Sequence, residues 1–171
     1  MRCWKNASSL LLVPLLAGCL GQTPERARIL DTRIINGGDG PQLEITQDLK
    51  FSPTMREALE HGIALRLTYL IEGCGPRQMQ ALELRYSPLT RHFELQRIGD
   101  AQTRSFARSG ALLAALDRVR MPVRLGAQAE CKGQVTVALD LTSLPTPLRF
   151  PAFLDPEQWR LVSPPAAWPA S

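Results

Sequence analysis

Histidine is scarce in this sequence, which has two histidines and four cysteines among its 171 residues. The histidines stand apart, and surface positions explain both: His61 precedes the helix-ending Gly62, and His92 lies on the polar face of a predicted hairpin. The sequence also lacks a Gly-x-Ser-x-Gly elbow, a His-Glu-x-x-His zinc motif, a phosphate loop and a calcium loop. We therefore expect no catalytic residue, no metal and no cofactor.

No apolar run is long enough to span a membrane. Ala7–Leu16 is short and follows the basic residues Arg2 and Lys5, which is the pattern of a secretory signal. The sequence Leu16-Ala17-Gly18-Cys19 then resembles the lipobox of bacterial lipoproteins. That resemblance implies that residues 1–18 are a lipoprotein signal peptide and that Cys19 becomes the lipidated first residue of the mature chain.

Acyl chains on Cys19 would anchor the protein to a membrane, because each buried methylene contributes about 0.8 kcal/mol. Lipoproteins kept at the inner membrane resemble one another in having Asp after the cysteine, whereas this chain has Leu20. We expect residues 19–26 to form a short lipidated tether, and the protein to lie at the periplasmic face of the outer membrane rather than the inner membrane.

The mature chain lacks a large excess of charge of either sign. Removing residues 1–18 takes away Arg2 and Lys5 and no acidic residue, so the formal charge falls from +4 to +2. The precursor's pI of about 9.2 therefore says little about the mature protein. A nearly balanced charge and a location outside the cytoplasm do not favour a nucleic-acid partner.

Two cysteines remain once the signal peptide and Cys19 are set aside. Cys74 and Cys131 each lie in a short turn that contains glycine. An isolated pair in an oxidising periplasm is more often bonded than free, so we predict a disulfide between Cys74 and Cys131. Two cysteines without nearby histidines would make only half of a zinc site.

Alternation of apolar and polar residues dominates the rest of the chain. Residues 81–98 form two alternating runs around Pro88, with Leu82, Leu84 and Tyr86 on one face of the first run. This pattern predicts an antiparallel hairpin with one polar face. Further strands are predicted over residues 27–35, 43–51, 63–71 and 135–141.

Two other segments have helical features. Ser52 can cap a short helix that begins at Pro53 and ends at Gly62. Between Arg104 and Val119, leucines recur at helical spacing, which predicts a covering helix. Seven prolines from Pro145 onward argue against long regular elements, so we expect residues 148–168 to wrap the domain as extended chain, with an edge strand over residues 159–162.

These elements predict one mainly β domain over residues 27–169 that ends in a proline-rich wrap. The favoured architecture is an antiparallel β-sandwich, immunoglobulin-like in outline, with six or seven strands and two short helices. The alternative is a single antiparallel sheet covered by the helices, an α+β fold.

Three stretches in order carry a resemblance to a known family. They are Leu84-Arg85-Tyr86 with Leu89-Thr90-Arg91-His92-Phe93, then Arg104-Ser105-Phe106 with Ala111–Leu116, then Leu144-Pro145-Thr146-Pro147-Leu148-Arg149 with Trp159-Arg160-Leu161. These stretches resemble a proteobacterial envelope family known as domain of unknown function 4390 (DUF4390). The resemblance implies a secreted domain with no assigned activity.

Two groups of side chains are candidates for a binding surface. A solvent-facing charged helix explains most of the clustered arginines, and the alternative is a surface for an anionic partner, either an acidic envelope protein or a phosphorylated lipid. Aromatic side chains that cover one end of the sandwich core explain the clustered aromatic residues (the core-lid interpretation), and the alternative is a groove for an extended peptide or glycan. The arginines are Arg104, Arg108, Arg118, Arg120 and Arg124, and the aromatic residues are Phe150, Phe153, Trp159 and Trp168.

The favoured functional hypothesis is a membrane-anchored periplasmic lipoprotein that acts as a non-catalytic interaction or sensory accessory module of the cell envelope. The alternative is an envelope hydrolase that acts on peptidoglycan or lipid. Two close, buried acids in a cleft would favour the hydrolase, whereas an open sheet edge or groove without them would favour the module.

Overall fold

A computed structural model describes residues 26–38, 40–73, 75–125 and 132–168. These residues form nine strands, four α-helices and one short 3-10 helix, Leu141–Ser143. The strands are β1 (Ala27–Gly37), β2 (Gly40–Leu49), β3 (Leu65–Glu72), β4 (Gln78–Ser87), β5 (His92–Arg97), β6 (Thr103–Phe106), β7 (Arg118–Pro122), β8 (Gly133–Leu139) and β9 (Ala166–Trp168). The helices are α1 (Pro53–Glu60), α2 (Ser109–Leu116), α3 (Thr146–Leu154) and α4 (Pro156–Trp159).

The strands form two antiparallel sheets. The three-stranded sheet has the order β1-β2-β7, and the six-stranded sheet has the order β6-β5-β4-β3-β8-β9. Buried side chains from both sheets form one apolar core. The prediction of a mainly β fold built from antiparallel sheets is confirmed, with more strands and helices than the six or seven strands and two helices expected.

The central strand β3 shows why the alternating residues fold this way. Leu65, Leu67, Tyr69 and Ile71 are almost fully buried, whereas the residues between them are partly exposed. β3 pairs with β4 on one side and with β8 on the other. Period-2 spacing places every second side chain on the core face, so the sequence alternation fixes which face is buried.

Helix α1 has the cap that the sequence predicts. The hydroxyl of Ser52 accepts a hydrogen bond from the Met55 N–H, and Pro53 occupies the first turn, where its missing N–H costs nothing. Gly62 follows the helix with φ of 83°, a left-handed conformation that glycine adopts without strain. The helix buries Met55 and Leu59.

The segment from Arg104 to Val119 is not one helix, which corrects the sequence expectation. It contains β6, then the two-turn helix α2, then the beginning of β7. The leucine spacing that suggested a helix holds only across α2, which buries Leu112 and Leu116. Arg104, Arg118 and Arg120 therefore lie on strands, and only Arg108 adjoins the helix, at its N-cap.

The proline-rich region also differs from the expected extended chain. Helices α3 and α4 occupy most of residues 146–159, each with proline in its first turn, where proline is compatible with a helix. Pro151 lies within α3 and cannot donate a backbone hydrogen bond to Pro147, so it weakens this nine-residue helix without ending it. The expected edge strand over residues 159–162 reduces to a single bridge between Val162 and Ala138, and β9 forms further along the chain.

Strand β9 packs against Gly73 and Gly133 through the ring of Trp168. Trp168 is buried and pairs with Gly133 at the end of β8. A Cβ at Gly133 would overlap with the Trp168 ring and with the Glu72 carbonyl oxygen. The absence of a side chain at residue 133 is therefore what lets the indole ring close this edge of the sheet.

A buried amide connects the two sheets with helix α2. Gln47 on β2 donates through Nε2 to the Tyr69 hydroxyl on β3 at 2.7 Å and to the Leu116 carbonyl at 2.8 Å. Its backbone N–H donates to the Asp117 carbonyl at 2.9 Å. Gln47 thus satisfies two carbonyls at the carboxyl end of α2, which have no partner within the helix. Burial raises the pKa of Tyr69, so its hydroxyl stays neutral.

We predict that Gln47→Leu lowers the free energy of unfolding by about 1–3 kcal/mol, because it leaves the buried Leu116 carbonyl without its side-chain donor. Urea denaturation followed by circular dichroism measures the change. Gln42→Leu is the matched control, since Gln42 lies on the same strand at a partly exposed position, and it should change stability by less than about 0.5 kcal/mol. Equal effects of the two substitutions would contradict the role assigned to Gln47.

Candidate functional site

The two sheets are joined along one side and separated along the other. On the joined side, the Thr32 hydroxyl of β1 donates to the Ala167 carbonyl of β9 at 2.9 Å. On the other side the edge strands are β7 and β6, which belong to different sheets and do not pair with each other. Helix α2 contacts both β6 and β7 and covers part of this gap.

A cleft of about 350 Å³ lies between the sheets on this open side. It is deep enough to hold a small polar group, and arginine is its most frequent lining residue. The lining residues are Leu82, Leu95, Arg97, Asp100, Gln102, Arg104, Arg118, Val119 and Arg120. Four guanidinium groups and one carboxylate give the lining a formal charge of +3.

Strand register explains why the arginines converge. Arg97 pairs with Leu82, and Arg104 pairs with Leu95, so both arginines share the core face of the large sheet with buried leucines. On β7 the arginines lie on the opposite face from the core. Val119 is buried, and Arg118 and Arg120 flank it on the exposed face. The rim of the cleft therefore receives two arginines from each sheet.

The single carboxylate in the cleft is already engaged. Asp100 accepts a hydrogen bond from the Gln102 backbone N–H at 3.1 Å and another from Arg97 at 2.9 Å. The Gln102 N–H and then the Arg97 guanidinium hold the pKa of Asp100 below its ordinary value. Asp100 is therefore ionised at neutral pH and neutralises Arg97 rather than the remaining arginines.

Arg120 is oriented by a buried acid behind the cleft. Glu44 on β2 is only 3% exposed, yet it lies beneath Arg33 and Arg120, whose side chains are largely solvent-exposed. Arg120 Nε donates to Glu44 Oε2 at 2.8 Å, and Arg33 Nε donates to Oε1 at 2.8 Å. The hydrogen bonds from Arg120 and then Arg33 lower the pKa of Glu44 and outweigh the opposing effect of burial.

Arg104 and Arg118 have no acidic partner among the described residues. The Arg104 guanidinium lies 5.3 Å from the centre of the Phe106 ring, a cation–π contact that leaves its hydrogen-bond donors available. Arg118 is exposed at the start of β7. These two side chains give the cleft uncompensated positive charge, which suits a phosphate or carboxylate group.

The structure brings together three of the five arginines that the sequence singled out. Arg104, Arg118 and Arg120 line the cleft, whereas Arg108 and Arg124 do not. Arg108 is exposed beside α2, and the Arg124 backbone N–H donates to Gln78 at 2.9 Å in a separate depression. These residues do not lie on the solvent-facing charged helix that the sequence predicts. Three of them lie on strands of two different sheets and line one cleft.

The sequence patterns single out neither Arg97 nor Asp100 as a site residue, although Arg97 has a signal in the sequence. Phe93, Leu95 and Arg97 continue one alternating series, so the pattern already places Arg97 on the core face of the hairpin. An arginine at an inward position next to the end of a strand indicates that the core is open there. The partnership with Asp100 depends on the turn after β5 and has no equally direct sequence signal.

The four aromatic residues do not form the groove that we considered. Trp159 and Trp168 are buried in different parts of the core, as the core-lid interpretation expects, and Phe150 and Phe153 are exposed on helix α3. Trp159 belongs to α4, close to α1, whereas Trp168 packs on the glycines beside β8.

Two sets of predicted residues lie outside the described parts of the chain. These are the lipidation site Cys19, and Cys74 and Cys131 of the predicted disulfide. The histidines are described, and they lie apart on the surface. His61 Nδ1 lies 2.8 Å from the Glu57 carbonyl oxygen, and His92 Nδ1 lies 2.6 Å from that of Thr90. Within the described ranges, no three histidine, cysteine or acidic side chains are grouped as a metal site would need.

A family model for the domain of unknown function DUF4390 matches residues 25–169. The chain belongs to the DUF4390 family. This confirms the resemblance seen in the sequence. Searches of curated proteins and of solved structures gave no match. In the part of the DUF4390 chain that the structure describes, every helix is too short or too polar to cross a bilayer.

We predict that Glu44→Gln lowers the free energy of unfolding at pH 7 by about 1–3 kcal/mol, since the glutamine amide can accept from only one of the two guanidiniums and carries no negative charge. The pKa of Glu44 is lower in the folded protein than its usual 4.5. Its stabilising contribution is therefore complete above the unfolded-state pKa and lost as pH falls through the folded-state pKa. The difference between wild type and variant should shrink in that acidic range.

Denaturant melts at pH 7 and over a series of acidic pH values measure this difference. Asp48→Asn is the matched control, because Asp48 is an exposed acid on the same strand, paired with Lys50 at 3.3 Å, and such surface pairs contribute about 0–1 kcal/mol. A Glu44→Gln effect that is the same at acidic and neutral pH would contradict the assignment.

Proposed function

We propose that this DUF4390 protein is a non-catalytic interaction module that is held at the periplasmic face of the outer membrane by a lipid on Cys19. Its arginine-lined cleft binds an acidic segment of another envelope protein. The observation that carries the proposal is a recess with formal charge +3 between the two sheets, with Arg104 and Arg118 unpaired by any described acid.

The chemistry of the cleft favours a carboxylate-bearing partner. Guanidinium groups present planar pairs of donors that match the two oxygens of a carboxylate, and charge-assisted hydrogen bonds are roughly twice as strong as neutral ones. Arg97 and Arg120 are held in defined positions by Asp100 and Glu44, which offset part of their charge. Arg104 and Arg118 then supply the donors.

The shape of the cleft favours a protein segment over the headgroups of a membrane. A recess between two sheets admits a side chain that projects from a flexible segment, whereas the headgroup layer of a bilayer is broad and nearly flat. A hydrolase that cleaves the glycan of peptidoglycan needs two acids near the scissile bond. This cleft is lined by one acid, Asp100, which is bound by Arg97.

The anchor part of the proposal rests on the sequence around Cys19 and on the position of Arg26. Arg26 is the first described residue, and its guanidinium donates to the Glu157 carbonyl at 2.7 Å, which fixes where the preceding chain leaves the fold. Seven residue steps separate Cys19 from Arg26. A fully extended chain of that length spans at most about 25 Å.

We predict that a hexa-aspartate peptide binds the mature protein through the cleft. In an NMR titration at low ionic strength, the Nε–H signals of Arg104 and Arg118 should shift. The double variant R104Q/R118Q should bind the peptide at least about tenfold more weakly, since each lost charge-assisted hydrogen bond is worth more than 1.4 kcal/mol.

R56Q/R108Q is the matched control, because it removes the same charge from two exposed arginines outside the cleft. An equal loss of affinity in this control would show that net charge, not the cleft, binds the peptide. No peptide binding, or arginine-dependent binding only to phosphatidylglycerol vesicles, would overturn the proposal of a protein partner.

We predict that Cys19→Ser abolishes lipidation. In a bacterial host that processes lipoproteins, mass spectrometry of the amino-terminal peptide should find acyl chains and cleavage before residue 19 only when Cys19 is present. Cys3→Ser is the matched control and should leave the acylated terminus unchanged. An unmodified Cys19 in the wild-type protein would refute the anchor without affecting the test of the cleft.

A further inference from the structure

Helix α3 exposes three large apolar side chains on one face. Phe150, Phe153 and Leu154 are 72%, 59% and 69% exposed. Their i, i+3 and i+4 spacing places them together on the helix surface. Ala152, which is buried, and Leu148, which packs on the core, lie on the opposite face. Packing against the core therefore explains one face of α3 and leaves the other without a described partner.

Helix α3 is followed by a helix that is bonded to the first described residue, Arg26. Helix α4 follows α3 after a single residue, and the Glu157 carbonyl of α4 accepts the hydrogen bond from Arg26. The hydroxyl of Ser52 also donates to the Gln158 carbonyl at 2.6 Å, so α4 is firmly attached to the domain. The chain that leads to Cys19 therefore begins beside α4, the helix that directly follows α3.

We propose that Phe150, Phe153 and Leu154 insert into the surface of the bilayer that holds the Cys19 lipid, so that α3 is a second membrane contact. This inference rests on the proposed anchor. Because the tether spans at most about 25 Å, the end of the domain that carries α3 stays close to the lipid. Phenylalanine and leucine on one face of a surface helix are typical of interfacial contacts.

The size of the face favours a bilayer over a second copy of the chain. An aromatic side chain buries about 150–250 Å² and leucine no more than that, and these three side chains are only about two-thirds exposed, so they supply roughly 500 Å² at most. A stable protein–protein interface buries about 800 Å² on each partner. A bilayer contact can be much weaker, because the tether already keeps the helix at a high effective concentration near the membrane.

The test uses the mature lipidated protein in vesicles of phosphatidylethanolamine and phosphatidylglycerol that contain brominated acyl chains. F153W places a fluorescent reporter on the apolar face, and M79W is the control reporter, at a residue that is 73% exposed on β4. We expect bromine to quench F153W at least about twice as strongly as M79W, since interfacial helices bury their apolar face about 5–10 Å deep. The native tryptophans are measured in the parent protein and subtracted.

Adding F150S and L154S to the F153W protein should lower its quenching towards the M79W level, and circular dichroism checks that the fold is retained. Equal quenching of F153W and M79W in protein that floats with the vesicles would overturn the inference and leave the anchor intact. Failure of the protein to float with vesicles would instead reject the anchor. A change in F153W emission that depends on protein density and not on bromine would show a second copy on this face, which also overturns the inference.

Discussion

The arrangement of the two sheets depends on the hydrogen bonds of Gln47. This residue interrupts an otherwise apolar face of β2, and its amide joins β3 and the carboxyl end of α2 at one buried point. Because α2 lies between β6 and β7, fixing its end also fixes the distance between the two edge strands. The cleft is therefore a consequence of how the core is closed beside it. The Nε2 group of this buried amide would be costly if it were unpaired, so its two hydrogen bonds favour one packing of the core over alternatives.

The arginines of the cleft fall into two groups: some are held in place by an acid, and others are available to a ligand. Asp100 and Glu44 each hold an arginine in place, and the pKa of both acids is lowered, so they remain ionised well below neutral pH. The two acids lie on different sides of the arginine cluster, Asp100 in the cleft and Glu44 behind β7. They reduce repulsion among the guanidiniums without neutralising Arg104 or Arg118. The cluster of arginines is stable here because Asp100 and Glu44 compensate part of its positive charge.

Much of the fold could be predicted from the sequence, because period-2 alternation directly determines which side chains are buried. β3, the hairpin of β4 and β5, and helix α1 with its Ser52 cap follow from local patterns. The short strands β6 and β7 could not be separated from α2, since four or five residues give too little periodicity to outweigh neighbouring leucines. The cleft was only partly predictable, because Arg104 and Arg118 meet through sheet packing and not through sequence spacing. The sequence pattern does not predict helix α3, because its prolines argue against a helix, although proline is compatible with a first turn.

The two proposed membrane contacts together do more than either contact alone. The proposed lipid on Cys19 would limit the distance of the domain from the bilayer but leave its rotation free. The second contact proposed at α3 would remove much of that rotation. The cleft lies at β5, β6 and β7, whereas α3 follows β8, and β8 and β5 are three strand spacings apart in the large sheet, about 14 Å. On this arrangement the cleft is presented in a restricted set of directions, and a partner in the envelope loses less orientational freedom when it binds.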